Sequence, residues 1–234
     1  MITIYTIAYN EAFMLPYFVS FYRIKFPKCR IVVYDNFSTD NTADIALKLG
    51  CEVHRYDTNG KLDDLTYLTI KNNCWKSADT DWVAVVDVDE FLEGIQQNYL
   101  FNLQNEGATI ARFEGYNMVN MADNVNIAGI KHGVRAKDYD KSYLFNRSKI
   151  TEINYGPGCH WCNPVGEVQY SANVYRCYHY KYINADYMIR RHKAFAQRLS
   201  DENKRKGYGG HYLNSSQQIR NEFNNARQQA VKLF

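Results

Sequence analysis

The sequence lacks any apolar run approaching the length that spans a bilayer, so no transmembrane helix is expected and the chain reads as soluble. Its opening, "MITIYTIAYNEAF", has no basic segment ahead of a long apolar one, and no signal peptide is expected there. Low-complexity tracts, internal repeats and linker-like boundaries are absent too, which argues against disorder and against a chain of separate modules. Cysteine is limited to six residues in 234, too few for a disulfide scaffold at this size, so a reducing, cytoplasmic setting is expected. The first strand is followed by "AYNEAF" with no glycine-rich phosphate loop, which counts against a nucleotidyltransferase on a similar sheet.

What is present is enough chain for a full core, 46% hydrophobic, and 20 tyrosines. The formal charge is only +3 but it is unevenly spread. From Lys181 onward basic residues outnumber acidic ones, which fits either a solvated helical face or a surface for phosphates.

The first half alternates strand and helix. "ITIYTIAY", "RIVVYD", "CEVHRYD" and "WVAVVDVD" read as strands. Between them, helices are expected from an Asn10 cap to about Lys25 with Pro16 inside, after a Ser38/Thr39 cap to a stop at Gly50, and from an Asp63 or Asp64 cap over about Leu65 to Ser77. That spacing predicts an α/β fold with a mostly parallel sheet flanked by helices and right-handed crossovers. Ligands then bind at the carboxyl ends of the strands, where Tyr9-Asn10-Glu11, Asp35-Asn36 and Asp87-x-Asp89 would converge. Beyond Glu93 the alternation weakens. "ATIARFEGYNMV", "KSYLFNRSKI" and "VYRCYHYKYI" read as strands, "NYGPGCHWCNPVGEV" as loop, and the end as two basic helices, about Asp186 to Lys206 and Ser216 to Phe234. Ser215-x-x-Gln218 is a capping box for the second.

On a strand, residues two apart point the same way, so Asp87 and Asp89 would share a target. Two close carboxylates raise each other's pKa, and a divalent cation bridging them to phosphate oxygens removes that conflict. The bland alternative is a pair of exposed aspartates capping a turn.

"TIAYNEAFMLPYFVSFYR", "IVVYDNFSTDNT" and "WVAVVDVDEFL", in that order and spacing, resemble the nucleotide-binding half of family-2-like glycosyltransferases of the GT-A fold, in the branch whose metal motif reads D-x-D-E-F. The resemblance covers residues 1 to about 95, leaving 96–234 as an acceptor-binding half with C-terminal helices within a single 1–234 domain. It implies transfer of a sugar from a nucleoside diphosphate sugar, UDP foremost, to a glycan hydroxyl with inversion. By position, Tyr9 would pack on the donor's base and Asp35 would accept from a ring N–H. Asp87 would touch the ribose or the metal, and Asp89 would hold Mn2+ or Mg2+ on the diphosphate, with Glu90 supporting that turn. Glu11 joins the donor site. His179 matches a histidine that completes the metal shell, and Lys141 a lysine on a late strand.

The general base stays open. That branch leads one to expect a His-Glu pair in the late loop, but His160 is followed by Trp161. Glu114, Asp123, Glu152, His160 and Glu167 are all candidates. Trp161 fits either an acceptor-sugar platform or a core anchor. Cys159-x-x-Cys162 with Cys177 and His179 also spells a Cys3His zinc set. "NKRKGYGGHY" is expected to be mobile and to close over the diphosphate with Lys204, Arg205 and Lys206. The alternatives to an enzyme are a silent nucleotide-sugar or glycan-binding module and a nucleic-acid binder using the basic C-terminus. Expected partners are the donor and a glycan or glycoconjugate acceptor, with no nucleic acid and at most peripheral membrane contact.

Overall fold

The computed structural model describes residues 1–234. Its first half follows the expected alternation: β1 (Ile2–Ala8), α1 (Leu15–Lys25), β2 (Arg30–Asp35), α2 (Thr42–Lys48), β3 (Glu52–Arg55), α3 (Asp64–Asn73) and β4 (Trp82–Val85). β4, β1, β2 and β3 lie side by side, all parallel. β1 and β4 are almost entirely buried, as central parallel strands are, while β3 at the sheet edge is polar and mostly exposed.

The second half adds β5 (Glu90–Glu93), α4 (Gln97–Asn105), β6 (Ile110–Val119), β7 (His132–Arg135), β8 (Leu144–Asn146), β9 (Ile150–Glu152), β10 (Val165–Gly166), β11 (Tyr170–Tyr182), α5 (Ala185–Arg198), α6 (Asp201–Lys206), α7 (Ser216–Gln229) and β12 (Val231–Lys232). The sheet order is β12-β7-β6-β8-β4-β1-β2-β3. β8 joins the halves by pairing antiparallel with both β4 and β6. β11, the longest strand, runs parallel to β6 and antiparallel to β5. Counted by paired residues the sheet is mostly parallel, and helices flank it. No helix is long and apolar enough to cross a membrane.

Several boundaries differ from the sequence expectation for local reasons. α1 starts at Leu15, which puts Pro16 in its first turn, where a missing N–H costs nothing. Asn10 is not its cap. It takes a left-handed conformation (φ 55), and its side chain accepts from Thr39 N at 2.8 Å, tying the β1 exit to the β2–α2 loop. α2 starts at Thr42, whose N–H donates to Asp40 Oδ1 at 2.9 Å, and not at Ser38 or Thr39. Asp63 does cap α3, accepting from Leu65 N and Thr66 N. "KSYLFNRSKI" divides into β8 and β9 around a turn. The long basic helix breaks at Leu199, and the last helix ends at Gln229, with the Ser215/Gln218 capping box formed.

The largest core cluster lies under β1, β4 and α1. Phe91 of the acidic motif is anchored there, its ring 5.0 Å from Phe21 and 4.7 Å from Tyr180. Tyr22 donates its hydroxyl to Glu90 O at 2.9 Å. Aromatic burial and one buried hydrogen bond thus fix the backbone directly after the acidic motif.

Candidate functional site

β4 ends at Val85, so Asp87 and Asp89 lie on a turn and not on a strand. Glu90 N donates to Asp87 O at 3.0 Å and closes that turn. Val88 is driven into the core, 3% exposed, which leaves its two acidic neighbours facing a cavity of about 430 Å³ at the carboxyl ends of the parallel strands. Tyr9, Glu11, Asp87, Asp89, Lys141, His160 and His179 all line it. Asp35 ends β2 beside it but has no exposed surface; its carboxylate accepts from Ser38 N at 3.2–3.3 Å.

The two aspartates have different partners. Asp87 accepts from Lys71 Nζ at 2.6 Å. Burial would raise its carboxyl pKa, but Lys71 and Lys141 outweigh that and hold it below the ordinary range. Asp89 lies 3.4 Å from Arg191 Nη2 and 3.7 Å from His179 Nε2. Burial would push this carboxyl up as well, and His179 and Arg191 together hold it far below the usual carboxylate range. Glu90 is buried behind them. It accepts from Lys141 Nζ at 2.6 Å with one oxygen and from Asp87 N at 2.7 Å with the other. Lys71 and Lys141 are both held protonated: burial alone would lower their pKa values, and the carboxylates beside them more than offset it.

Register explains His179. β11 sets it opposite Glu90 on β5 and Asn117 on β6. His179 Nδ1 is 2.7 Å from Asn117 Oδ1, an acceptor, so Nδ1 carries the proton. Nε2 then faces Asp89 Oδ2 at 3.7 Å, a gap too long for a hydrogen bond. An imidazole oriented through its other nitrogen beside a carboxylate kept ionised is a donor pair able to take a divalent cation when Nε2 carries no proton. Tyr139 stacks on the same ring at 4.0 Å and keeps its plane. Two protein ligands of this kind leave the remaining positions for water and phosphate, as magnesium and manganese sites do.

Other expected roles are placed apart from the cavity. Glu167 pairs with Lys149, Glu152 with Lys76 and Asp123 with Arg227, and Glu114 meets only Tyr116 Oη at 3.3 Å. None of the four lines the cavity. His160 is the candidate base that reaches it, with Nδ1 donating to the carbonyl of Asp138 at 2.8 Å, so that Nε2 is the accepting nitrogen of the neutral ring. Trp161 is 60% exposed, which overturns the core-anchor reading. Cys159, Cys162, Cys177 and His179 form no metal-ligating cluster: Cys177 is wholly buried in the core, and all six thiols are free. Lys204, Arg205 and Lys206 lie on α6 and pair with Asp201 and Glu202, away from the cavity; Tyr208, Gly209, His211 and Tyr212 from the same segment line it instead.

Sequence reasoning missed Lys71 and Arg191. Lys71 looks like any helix lysine, although it is only 9% exposed. Arg191 belonged to an undifferentiated basic run, yet its Nη1 donates to both oxygens of Glu11 at 2.7 Å. Burial pushes the Glu11 carboxyl up, and Arg191 opposes it only in part.

Comparison with known proteins gives one family match: the model of glycosyl transferase family 2 matches residues 3–120, half of the chain. No curated protein sequence matches. Among solved structures, Staphylococcus aureus TarS aligns at 13% identity and TM-score 0.47, covering 96% of this chain and 43% of that one. TarS 1-349 in complex with UDP-GlcNAc aligns at 14% and 0.45, covering 97% and 72%. The mannosyltransferase PcManGT from Pyrobaculum calidifontis, in complex with GDP-Man and Mn2+, aligns at 12% and 0.44, covering 84% and 62%. The chain thus spans less than half of the whole TarS chain.

Proposed function

The chain belongs to glycosyl transferase family 2, and we propose that it is a glycosyltransferase that takes its sugar from a nucleoside diphosphate donor bound in the cavity at Asp87–Asp89. The observation that carries this reading is the placing of an ionised Asp89 3.7 Å from Nε2 of a His179 fixed through Asn117, at the mouth of a parallel sheet. In this reading Asp89 and His179 hold Mn2+ or Mg2+. A divalent cation there supplies Lewis-acid stabilisation of the diphosphate as it departs.

The chain's own residues do the rest. Lys71 and Lys141 balance Asp87 and Glu90 and hold the turn in one geometry, so that Asp89 is presented without rearrangement. Arg191 lies between Glu11 and Asp89 and is placed to transfer its hydrogen bonds to a phosphate oxygen. Tyr9, with Ile7, Leu62, Tyr67 and Leu68 around it, forms the less polar end of the cavity and seats the base, with Asp35 accepting from its ring N–H. His160 Nε2 takes the proton from the acceptor hydroxyl, and the acceptor is a glycan or glycoconjugate.

The test is calorimetric titration of UDP-, GDP- and dTDP-sugars, with and without manganese, on wild type and Asp89→Ala. Manganese-dependent binding of one nucleotide class, lost in Asp89→Ala, is the expected result. Binding without turnover on any acceptor would favour a silent binding module. No binding of any donor would remove the donor-site reading.

A further inference from the structure

The seat assigned to the base is already filled by the protein, an inference that rests on the reading of Tyr9 and Asp35 above. Asp35 is sealed, and Arg198 lies over Tyr9 with its guanidinium carbon 3.1 Å from the ring centre. We propose that Arg198 is an internal stand-in for the base, and that the strap it begins, residues 198–206, is displaced when the nucleotide enters.

The strap is latched to the loop before α3. Leu62 N donates to Arg198 O at 2.7 Å and Ser200 N to Leu62 O at 3.1 Å, a two-bond strand-like clip. Arg198 Nε donates to Gly60 O at 2.9 Å, and Asp64 N to Asn203 Oδ1 at 3.1 Å. These bonds hold the chain where a planar ligand would lie on Tyr9, and they leave no route to Asp35.

The latch is incompletely satisfied. Arg198 Nη1 and Asn203 Nδ2 are buried without a hydrogen-bond partner, two of the eight such side-chain atoms in the protein. Buried donors without acceptors carry an uncompensated desolvation cost, which weakens the closed strap. Its ends are suited to movement. The helix breaks at Leu199 on one side, and on the other Gly207 and Gly209 both take left-handed conformations (φ 73 and 69). Arg198 also lies seven residues after Arg191 on α5, two turns along the same face. Displacing Arg198 therefore pulls on the helix whose arginine bridges Glu11 and Asp89, which couples arrival of the base to the phosphate end of the cavity.

A stand-in lowers apparent affinity by the fraction of molecules in which the seat is open, so removing it strengthens binding. With UDP and GDP as probes, Arg198→Ala is expected to bind its nucleotide about three- to tenfold more tightly than wild type. Unchanged or weaker binding would overturn the proposal, the weaker result making Arg198 a direct contact to the donor. Should Arg198→Ala fail to fold, hydrogen exchange on wild type decides. The amides of Leu62 and Ser200 are expected to exchange about tenfold faster with nucleotide and manganese bound, and equal or slower exchange would show that the closed strap belongs to the bound state. Wild type that binds neither nucleotide in the presence of manganese defeats the donor-site reading and this inference with it; binding that leaves the strap unmoved defeats only the inference.

Discussion

Asp87 and Asp89 are two residues apart on one turn, yet they belong to different halves of the molecule. Asp87 is compensated from its own half, by Lys71 on α3. Asp89 faces His179 on β11 and Arg191 on α5, about a hundred residues away in sequence. The early parallel half thus builds the acidic turn, and Lys141 of the late half supports it from behind through Glu90. The late, mixed half supplies the groups that give one of its carboxylates a chemical role. A carboxylate with a short lysine contact is a structural post, whereas one held across wider gaps by an imidazole and a guanidinium remains available to a ligand.

Substitutions can break this contrast, and the largest effect is expected at Asp89. Asp89→Ala should reduce transfer at least about a thousandfold through lost stabilisation of the leaving diphosphate, with little loss of melting temperature. Asp87→Ala should instead lower stability, because it strands a buried Lys71. Activity and thermal unfolding measured on the same two variants would show whether the division holds.

Lys141→Met tests the post behind the turn. Glu90 and Lys141 are almost entirely buried, with side chains 1% and 4% exposed. Removing one charge of such a pair should cost about 3–5 kcal/mol in denaturant unfolding, and Lys141→Met with Glu90→Gln should recover much of it. His160→Gln sharpens the comparison in the late half, with kcat expected to fall about a hundredfold at unchanged donor KM. Glu167→Gln, paired with Lys149 outside the cavity, should leave kcat as it is. Equal losses in both would remove His160 from the base role.

The smallest effect is in pH dependence. Burial, with nearby positive charge, lowers the His192 pKa, and burial, Lys181 and His192 lower that of His211 to about 4. Both are therefore neutral in the folded state where the unfolded chain, near ~6.5, begins to take up protons. Proton uptake by the unfolded state alone makes stability fall as pH drops from about 6.5 toward 4. Glu11 and Asp64, whose carboxyls burial pushes up, work in the opposite direction at the acid end. Urea unfolding at pH 7.5, 6.5 and 5.5 should show the decline, and His192→Phe should make it shallower.

Legibility in the sequence followed the range of the interactions. The four parallel strands, the Asp63 cap and the Ser215–Gln218 capping box were readable because each is decided within a few residues. Asp87 and Asp89 do face one cavity, though not by strand alternation: a turn with Val88 buried between them produces the convergence. Glu114 and Glu167 looked as eligible as His160, since nothing local distinguishes a carboxylate beside the cavity from one paired with lysine on the far surface. The basic C-terminal run looked uniform. It divides into Arg191 in the site, Arg198 on Tyr9, and residues such as Arg205 and Arg220 that pair on the surface.

From the sequence alone came the α/β alternation, the acidic turn at the mouth of the sheet and the resemblance to a transferase family, because burial patterns and ordered motifs are written in short stretches. Only the tertiary structure decided which carboxylate faces His179, which histidines reach the cavity and what covers Tyr9. Those outcomes depend on the register of β11 against β5 and β6 and on where α5 ends. Pairings between residues 80 to 190 positions apart are set by how whole faces pack, and no local pattern encodes them.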